Sequence, residues 1–222
     1  MTRTHALRIP GVPALATLVF VLLLAGCTNP FKPADPEPPT GDAIIEDFSS
    51  VEAMLSTVET AIATRTTSGA NAYIHAFADS TTSSDRAFRA YHDPAVKAAW
   101  LALPGAGSAP EPWLLQNELG VHSELSRIRP NDPYVFLFKR DGGSENDADI
   151  SPDVKLIHRH YMLKAKPVSS DTVLIVSGFA DMLVQKANGR YSIFEWRDRV
   201  DPEYGVNSVD VKSFTYERLE SQ

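Results

Sequence analysis

The sequence predicts an α+β fold: helices first, then an antiparallel sheet of about five strands. Three observations carry this. Apolar residues recur at helical spacing between about 50 and 128. From Tyr134 onward the pattern changes to strand-like runs rich in β-branched and aromatic residues. The two longest of these runs are joined by Asn188-Gly189, a pair that tolerates positive φ at both positions and so signals a two-residue hairpin.

The helices come first. Ser49-Ser50-Val51-Glu52 has the pattern of a capping box. Behind it Val51, Met54, Leu55, Val58, Ala61 and Ile62 share one face, which predicts a helix over about 50–65, broken before Gly69. A second, short helix is expected over 71–77. Residues 81–85 read as a loop, and 87–91 as a strand or an extended segment. Asp93-Pro94 is a cap followed by proline at the first helical position, so a helix follows over about 94–102. Another helix, over about 112–127, carries Leu114, Val121 and Leu125 and stops before Pro130.

Strands are expected over 134–140, 155–165, 172–187, 190–200 and about 209–218, with an acidic loop over 141–153. A two-residue hairpin loop sets Ala187 opposite Arg190. Continued without interruption, this register puts Met182 and Val184 on one face beside Tyr191, Ile193, Glu195 and Arg197. The other face receives Phe179, Asp181 and Leu183 beside Phe194, Trp196 and Asp198. Trp196 then stands opposite Asp181. Both faces are largely apolar, so both call for a covering layer, and burial is expected for Trp196.

The chain has 222 residues, 43% of them apolar, enough for one domain and a leader. Its 21 basic and 28 acidic residues give −7. Segment 1–26 holds Arg3 and Arg8 and no acid, leaving −9 on the remainder. That balance argues against nucleic-acid binding and against adhesion to anionic lipid by charge. Cys27 is the single cysteine, so no internal disulfide can form.

The first 26 residues have a basic head and an apolar run over 12–26, too short to span a bilayer comfortably and suited to a signal peptide. The run ends in Leu24-Ala25-Gly26-Cys27, which resembles a bacterial lipobox. The resemblance implies that Cys27 is acylated and becomes the new N-terminus. Thr28 in the next position implies outer-membrane sorting if the source is Gram-negative. Residues 28–42 contain five prolines in fifteen positions and read as an extended tether, up to roughly 45 Å long at about 3.1 Å per residue. The expected organisation is therefore a leader over 1–26, the anchor and tether over 27–47, and a domain over 48–222.

Tyr73 and Phe77 soon after a first helix, and a long hairpin ending in Tyr191, Ile193, Trp196 and Asp198, resemble the nuclear-transport-factor-2-like superfamily, which includes ketosteroid isomerases and polyketide cyclases. The resemblance covers roughly 48–200. It implies a cystatin-like roll, in which the sheet curves into a cone around the helices and leaves a pocket. More narrowly, the chain is similar to uncharacterised bacterial lipoproteins that join a lipobox, a proline-rich tether and this domain. The region 85–130 departs from the family pattern by its extra helices. Fold similarity alone does not transfer a function.

The candidate chemistry is sparse. Asp198 and Asp181 share a face in the expected register, where a carboxylate in an apolar cone could act as a base, as the isomerase resemblance implies. The blander reading has Asp198 pairing with Arg197, Arg199 or a loop amide. His158 and His160 alternate onto one strand face and could share a metal, for which His75 or His122 would have to supply a further ligand. The blander reading leaves them as two partly exposed side chains. Tyr73, Trp113, Tyr161, Phe179, Phe194 and Trp196, with Trp100, could line a pocket, although aromatics at such spacings more often pack a core. No phosphate loop, GxSxG, CxxC or HExxH occurs, and no cofactor is implied.

The residues thus predict an envelope lipoprotein, held to the membrane by its N-terminal lipid. Its domain is expected to bind a small apolar ligand or a protein without catalysis. Two alternatives stand beside this reading: an isomerase- or cyclase-type enzyme using a pocket carboxylate, and a structural lipoprotein that uses the fold to form a homodimer.

Overall fold

Helix α1 (Val51–Ala63) buries the face its spacing predicts, with Val51, Met54, Leu55, Val58, Ala61 and Ile62 turned inward. Ser50 caps it, one residue later than the box pattern suggests, by accepting a hydrogen bond from the Ala53 amide at 3.0 Å. The computed structural model describes residues 44–79, 86–140, 146–167, 171–206 and 210–222. The leader, Cys27, the 28–42 tether, the 81–85 loop and the start of the acidic loop lie outside the described residues.

Helix α2 (Thr67–His75) begins earlier than expected, capped by Thr66. Gly69 lies inside it. A Cβ there would sit 1.8 Å from the Thr64 carbonyl oxygen, so this glycine permits the tight α1–α2 corner. Strand β1 (Arg89–Tyr91) follows, and then α3 (Pro94–Leu101), whose first turn is capped by Asp93 Oδ1 at 2.8 and 3.0 Å from the amides of Ala95 and Val96. Strand β2 (Trp113–Leu114) occupies the start of the expected 112–127 helix, and α4 (Leu115–Ile128) continues from it.

The remaining strands are β3 (Tyr134–Arg140), β4 (Ala148–Ser151), β5 (Val154–Ala165), β6 (Val173–Ala187) and β7 (Arg190–Val200). Among the described residues the sheet has seven strands in the order β2-β1-β7-β6-β5-β3, with β4 beside β5. It is curved, unclosed and mixed, because β1 runs parallel to β7 while the other pairs are antiparallel. The α+β class stands; β1 falls in the 87–91 segment read as a strand or extended stretch, and β2 and β4 are short additions that carry little pattern.

The fifth expected strand, 209–218, is a helix instead: α5 (Phe214–Glu220), capped by Ser213. Its buried residues are Phe214, Thr215, Glu217, Arg218 and Leu219. Three of those five are polar, so no apolar helical period marks them.

The β6–β7 hairpin turns at Asn188 (φ 53°) and Gly189 (φ 79°), as the pair predicts. Its register holds from Ala187↔Arg190 to Val184↔Ile193 and then slips: Leu183 faces Glu195 and Met182 faces Trp196. Phe194 is the extra residue of a β-bulge. Beyond it every β7 side chain changes sides. Trp196 and Asp198 therefore join Ala180, Met182, Val184 and Ile193 on the buried face, while Phe179, Asp181 and Leu183 lie on the opposite, partly exposed one. Trp196 is fully buried, with companions other than those the uninterrupted register gives it.

Inside the curve Tyr161, Trp196, Phe136, Phe138 and Phe214 pack ring against ring, with centroids 4.9–6.5 Å apart. Tyr161 reaches this position by lying across Gly178, its partner on β6. A Cβ at residue 178 would fall 2.1 Å from the Tyr161 hydroxyl, so only glycine fits beneath it.

Candidate functional site

The most concentrated polar chemistry sits where α5 closes the cone. The hydroxyl of Tyr161 donates to Asp198 Oδ1 at 2.7 Å and accepts from the Phe214 amide at 3.0 Å. Asp198 Oδ2 accepts from both the amide and the hydroxyl of Thr215, at 2.7 and 2.6 Å. The Thr215 hydroxyl oxygen in turn accepts from the Asp93 amide, and Asp93 Oδ2 accepts from the Val200 amide. Two carboxylates thereby tie together the end of β7, the start of α3 and the start of α5.

A second group lies against the first. Arg218 and Glu118 form an ion pair with both side chains fully buried, Nη2 to Oε1 at 2.8 Å and Nε to Oε2 at 3.2 Å. The Tyr73 hydroxyl donates to the same Oε1 at 2.7 Å. The guanidinium lies 5.0 Å from the centre of the Trp196 ring, where the π face adds to its stabilisation.

The electrostatics follow from enclosure. Burial pushes the Asp198 carboxyl above the usual aspartate range, with Arg218 and the Thr215 and Tyr161 hydrogen bonds pulling the other way. Burial, reinforced by the Asp198 charge, raises the Tyr161 phenol well above its ordinary value. Burial works against the Arg218 charge, yet Glu118 outweighs it and the guanidinium holds its proton more firmly than in water.

Chemically the arrangement is a fastener. Asp198 is 3% exposed and each of its oxygens already accepts from donors of the chain, three hydrogen bonds in all, so it is held as a structural acceptor. Its partners include a backbone amide, but neither Arg197 nor Arg199.

The outer face of the same strands carries the other candidates. Asp181 Oδ1 lies 2.8 Å from His158 Nδ1 and accepts from Arg199 Nη2 at 2.9 Å. His160 Nε2 lies 2.9 Å from Ser177 Oγ and 3.0 Å from Asp201 Oδ2, and the serine itself donates to that oxygen at 2.6 Å. Serine and carboxylate thus meet on one ring nitrogen and bond each other. A hydrolase triad needs them on opposite nitrogens. The His160 ring stacks on Phe179 at 4.7 Å.

The two histidines therefore share a face but engage different carboxylates. His75 pairs with Glu46, and His122 Nε2 lies 3.0 Å from the Ala61 carbonyl, so each has a partner other than the two strand histidines. Among the described residues no group of three or more His, Cys, Asp or Glu side chains could hold a metal ion.

The six pocket candidates divide. Tyr73, Trp113, Tyr161 and Trp196 are fully buried in the core, and Trp100 meets Tyr216 edge to face. Phe179 and Phe194 are partly exposed, the first on the outer sheet face and the second at the bulge. Where the family resemblance implies a pocket, the rings of Tyr161 and Trp196 pack with Phe136, Phe138 and Phe214 beneath α5. A cleft of about 270 Å³ does open at the turn end of the hairpin, lined by other residues, among them Ile74, His75, Phe77, Gln185 and Arg190.

Sequence reasoning missed Glu118, Thr215, Arg218 and Asp93's second role. A signal existed for one of them. Glu118 sits at helical spacing with Leu114, Val121 and Leu125, so an acid on an apolar face called for a buried cation.

No family model matches the chain, and no curated protein does. Solved structures resemble it in fold. One is a protein of unknown function from Mycobacterium tuberculosis, 13% identical, over 77% of this chain and 91% of that one, with a TM-score of 0.49. Another is ActVI-ORFA from Streptomyces coelicolor, 10% identical, over 68% and 94%, with a TM-score of 0.47. A third is a nuclear-transport-factor-2-like protein of unknown function from Shewanella oneidensis, 13% identical, over 67% and 94%, with a TM-score of 0.40.

Proposed function

We propose that this chain is an envelope lipoprotein, anchored through an acylated Cys27, whose domain binds a partner through its surface and performs no catalysis. The observation that carries the non-catalytic reading is the filled cone. Rings and the Arg218–Glu118 pair occupy the volume where an isomerase-type site would need space, and both oxygens of Asp198 are engaged by Tyr161 and Thr215. A general base needs reach to a substrate proton. The lipobox residues Leu24 to Cys27 support the anchor, and the proline-rich tether supports display away from the membrane.

The test of the filled cone is titration of the full chain with apolar ring compounds, steroid and polycyclic, followed through tryptophan emission and melting temperature. No saturable change is expected. A saturable shift that is lost in Asp198→Asn would move the protein to the enzyme reading. The anchor is tested separately by labelling cells with a fatty-acid analogue: wild type should take up label and Cys27→Ser should not.

A further inference from the structure

The carboxyl group of Glu217 stands out among the buried polar groups. The residue is 1% exposed, and its Oε1 accepts no hydrogen bond from any described residue. Nearly all such atoms in folded proteins are paired, because an ionised oxygen stripped of water is costly to bury. Glu217 lies one position before Arg218, on the seven-residue helix α5 that closes the cone with Phe214 and Arg218. A buried carboxyl with one oxygen lacking a donor among the described residues is thus built into the closing element itself.

We infer that α5 is a pH-sensitive latch, seated over the cone while the Glu217 carboxyl carries its proton and loosened when that proton leaves.

Burial favours the neutral form, and the charges around it divide. Lys212, just before α5, is the cation that faces Glu217, and it is already engaged by Glu220 Oε2 at 3.0 Å. Glu220 on α5 and Glu124 on α4 face Glu217 with like charge. From β3 the Tyr134 phenol lies within reach of its field, hydrogen-bonded to the Leu125 carbonyl. β7 presents Asp198 to Thr215, and α4 presents Glu118 to Arg218, each committed to a neighbour of Glu217 on the helix. Desolvation leads, and the carboxyl titrates at about 7 where an ordinary glutamate titrates at 4.5.

The direction of the effect follows. A carboxyl whose pKa is raised in the seated state binds its proton more tightly there than when released. Seating is therefore firmest below about 4.5, weakens as pH rises, and has lost the whole contribution above about 7. The shift corresponds to a change on the order of a hundredfold in the ratio of released to seated helix.

Hydrogen exchange on the full chain in detergent micelles, corrected for the intrinsic pH dependence of exchange, tests this. Protection of the 214–220 amides, relative to those of β6, should fall on the order of a hundredfold between pH 5 and 8. Glu217→Gln keeps the shape and removes this titration, so its profile should lose most of that fall. Superimposable profiles for the two proteins would overturn the latch. A second measurement needs no variant: the Glu217 side-chain carboxyl, followed by carbon NMR, should titrate with its midpoint near neutrality. A midpoint in the ordinary glutamate range would also overturn it.

Discussion

The two sides of the β5–β7 sheet, the inner one with the helices packed on it, carry similar side chains under opposite conditions. On the inner side Asp198, Glu118 and Arg218 are closed off from water, and of their charged-group atoms all but Arg218 Nη1 have a fixed partner. On the outer face Asp181, His158 and Arg199 also form pairs, but with side chains 23, 14 and 44% exposed. The geometry is comparable, near 2.8 Å in both places. The surroundings decide what each pair is worth. A buried charge left without its partner loses its compensation and cannot recover it from solvent, whereas an exposed one is rehydrated. The inner groups therefore define the fold, and the outer groups are available to change.

Four substitutions would break or sharpen this contrast. Trp196→Ala should leave a void beneath α5 and cost about 3–5 kcal/mol in urea melts. A near-wild-type midpoint would mean that the ring cluster is not the core of the domain. Glu118→Leu should cost about 3–5 kcal/mol by stranding the Arg218 charge. The double variant with Arg218→Leu should regain much of that loss, and failure to do so would show that the pair contributes more than mutual neutralisation. Gly178→Ala should cost about 1–3 kcal/mol, because the new methyl displaces the Tyr161 hydroxyl from Asp198. Tyr161→Phe in the same background should then add little, since the two changes act on one contact. Arg199→Ala, on the outer face, should change stability by less than about 1 kcal/mol. A larger loss would place that face inside the cooperative core.

Much of this was legible in the sequence where one simple period rules. The α1 stripe, the Asp93-Pro94 start of α3 and the Asn188-Gly189 turn each follow from local rules, and the structure keeps them. The inner face was not legible, for two physical reasons. Phe194 inserts one residue into β7, and a period of two turns a single insertion into a reversal of every later side chain. That is why Asp198 and Asp181 share a face on paper and lie on opposite faces in the molecule. Second, α5 hides its inward side by carrying Thr215 and Arg218 there. Their burial makes sense only with Asp198 and Glu118, which are distant in sequence. A pattern that scores apolar residues cannot see a helix seated by charge. The tight α1–α2 corner at Gly69 is a milder case, since glycine reads as a break until its neighbours are known.

The parallel pairing of β1 with β7 has a bearing on the order in which the chain assembles. The β6–β7 hairpin closes across two residues, so its loop costs little entropy and its strands can zip at once. Arg89 must instead find Glu195, and Glu118 must find Arg218 a hundred positions away. Such contacts form late, after the intervening chain has surrendered its freedom. The hairpin is then expected to act as the template and α5 as the final closure. Until that closure the ring cluster lies open to any other apolar surface. The interval between the two events is the time during which this protein is most exposed to aggregation.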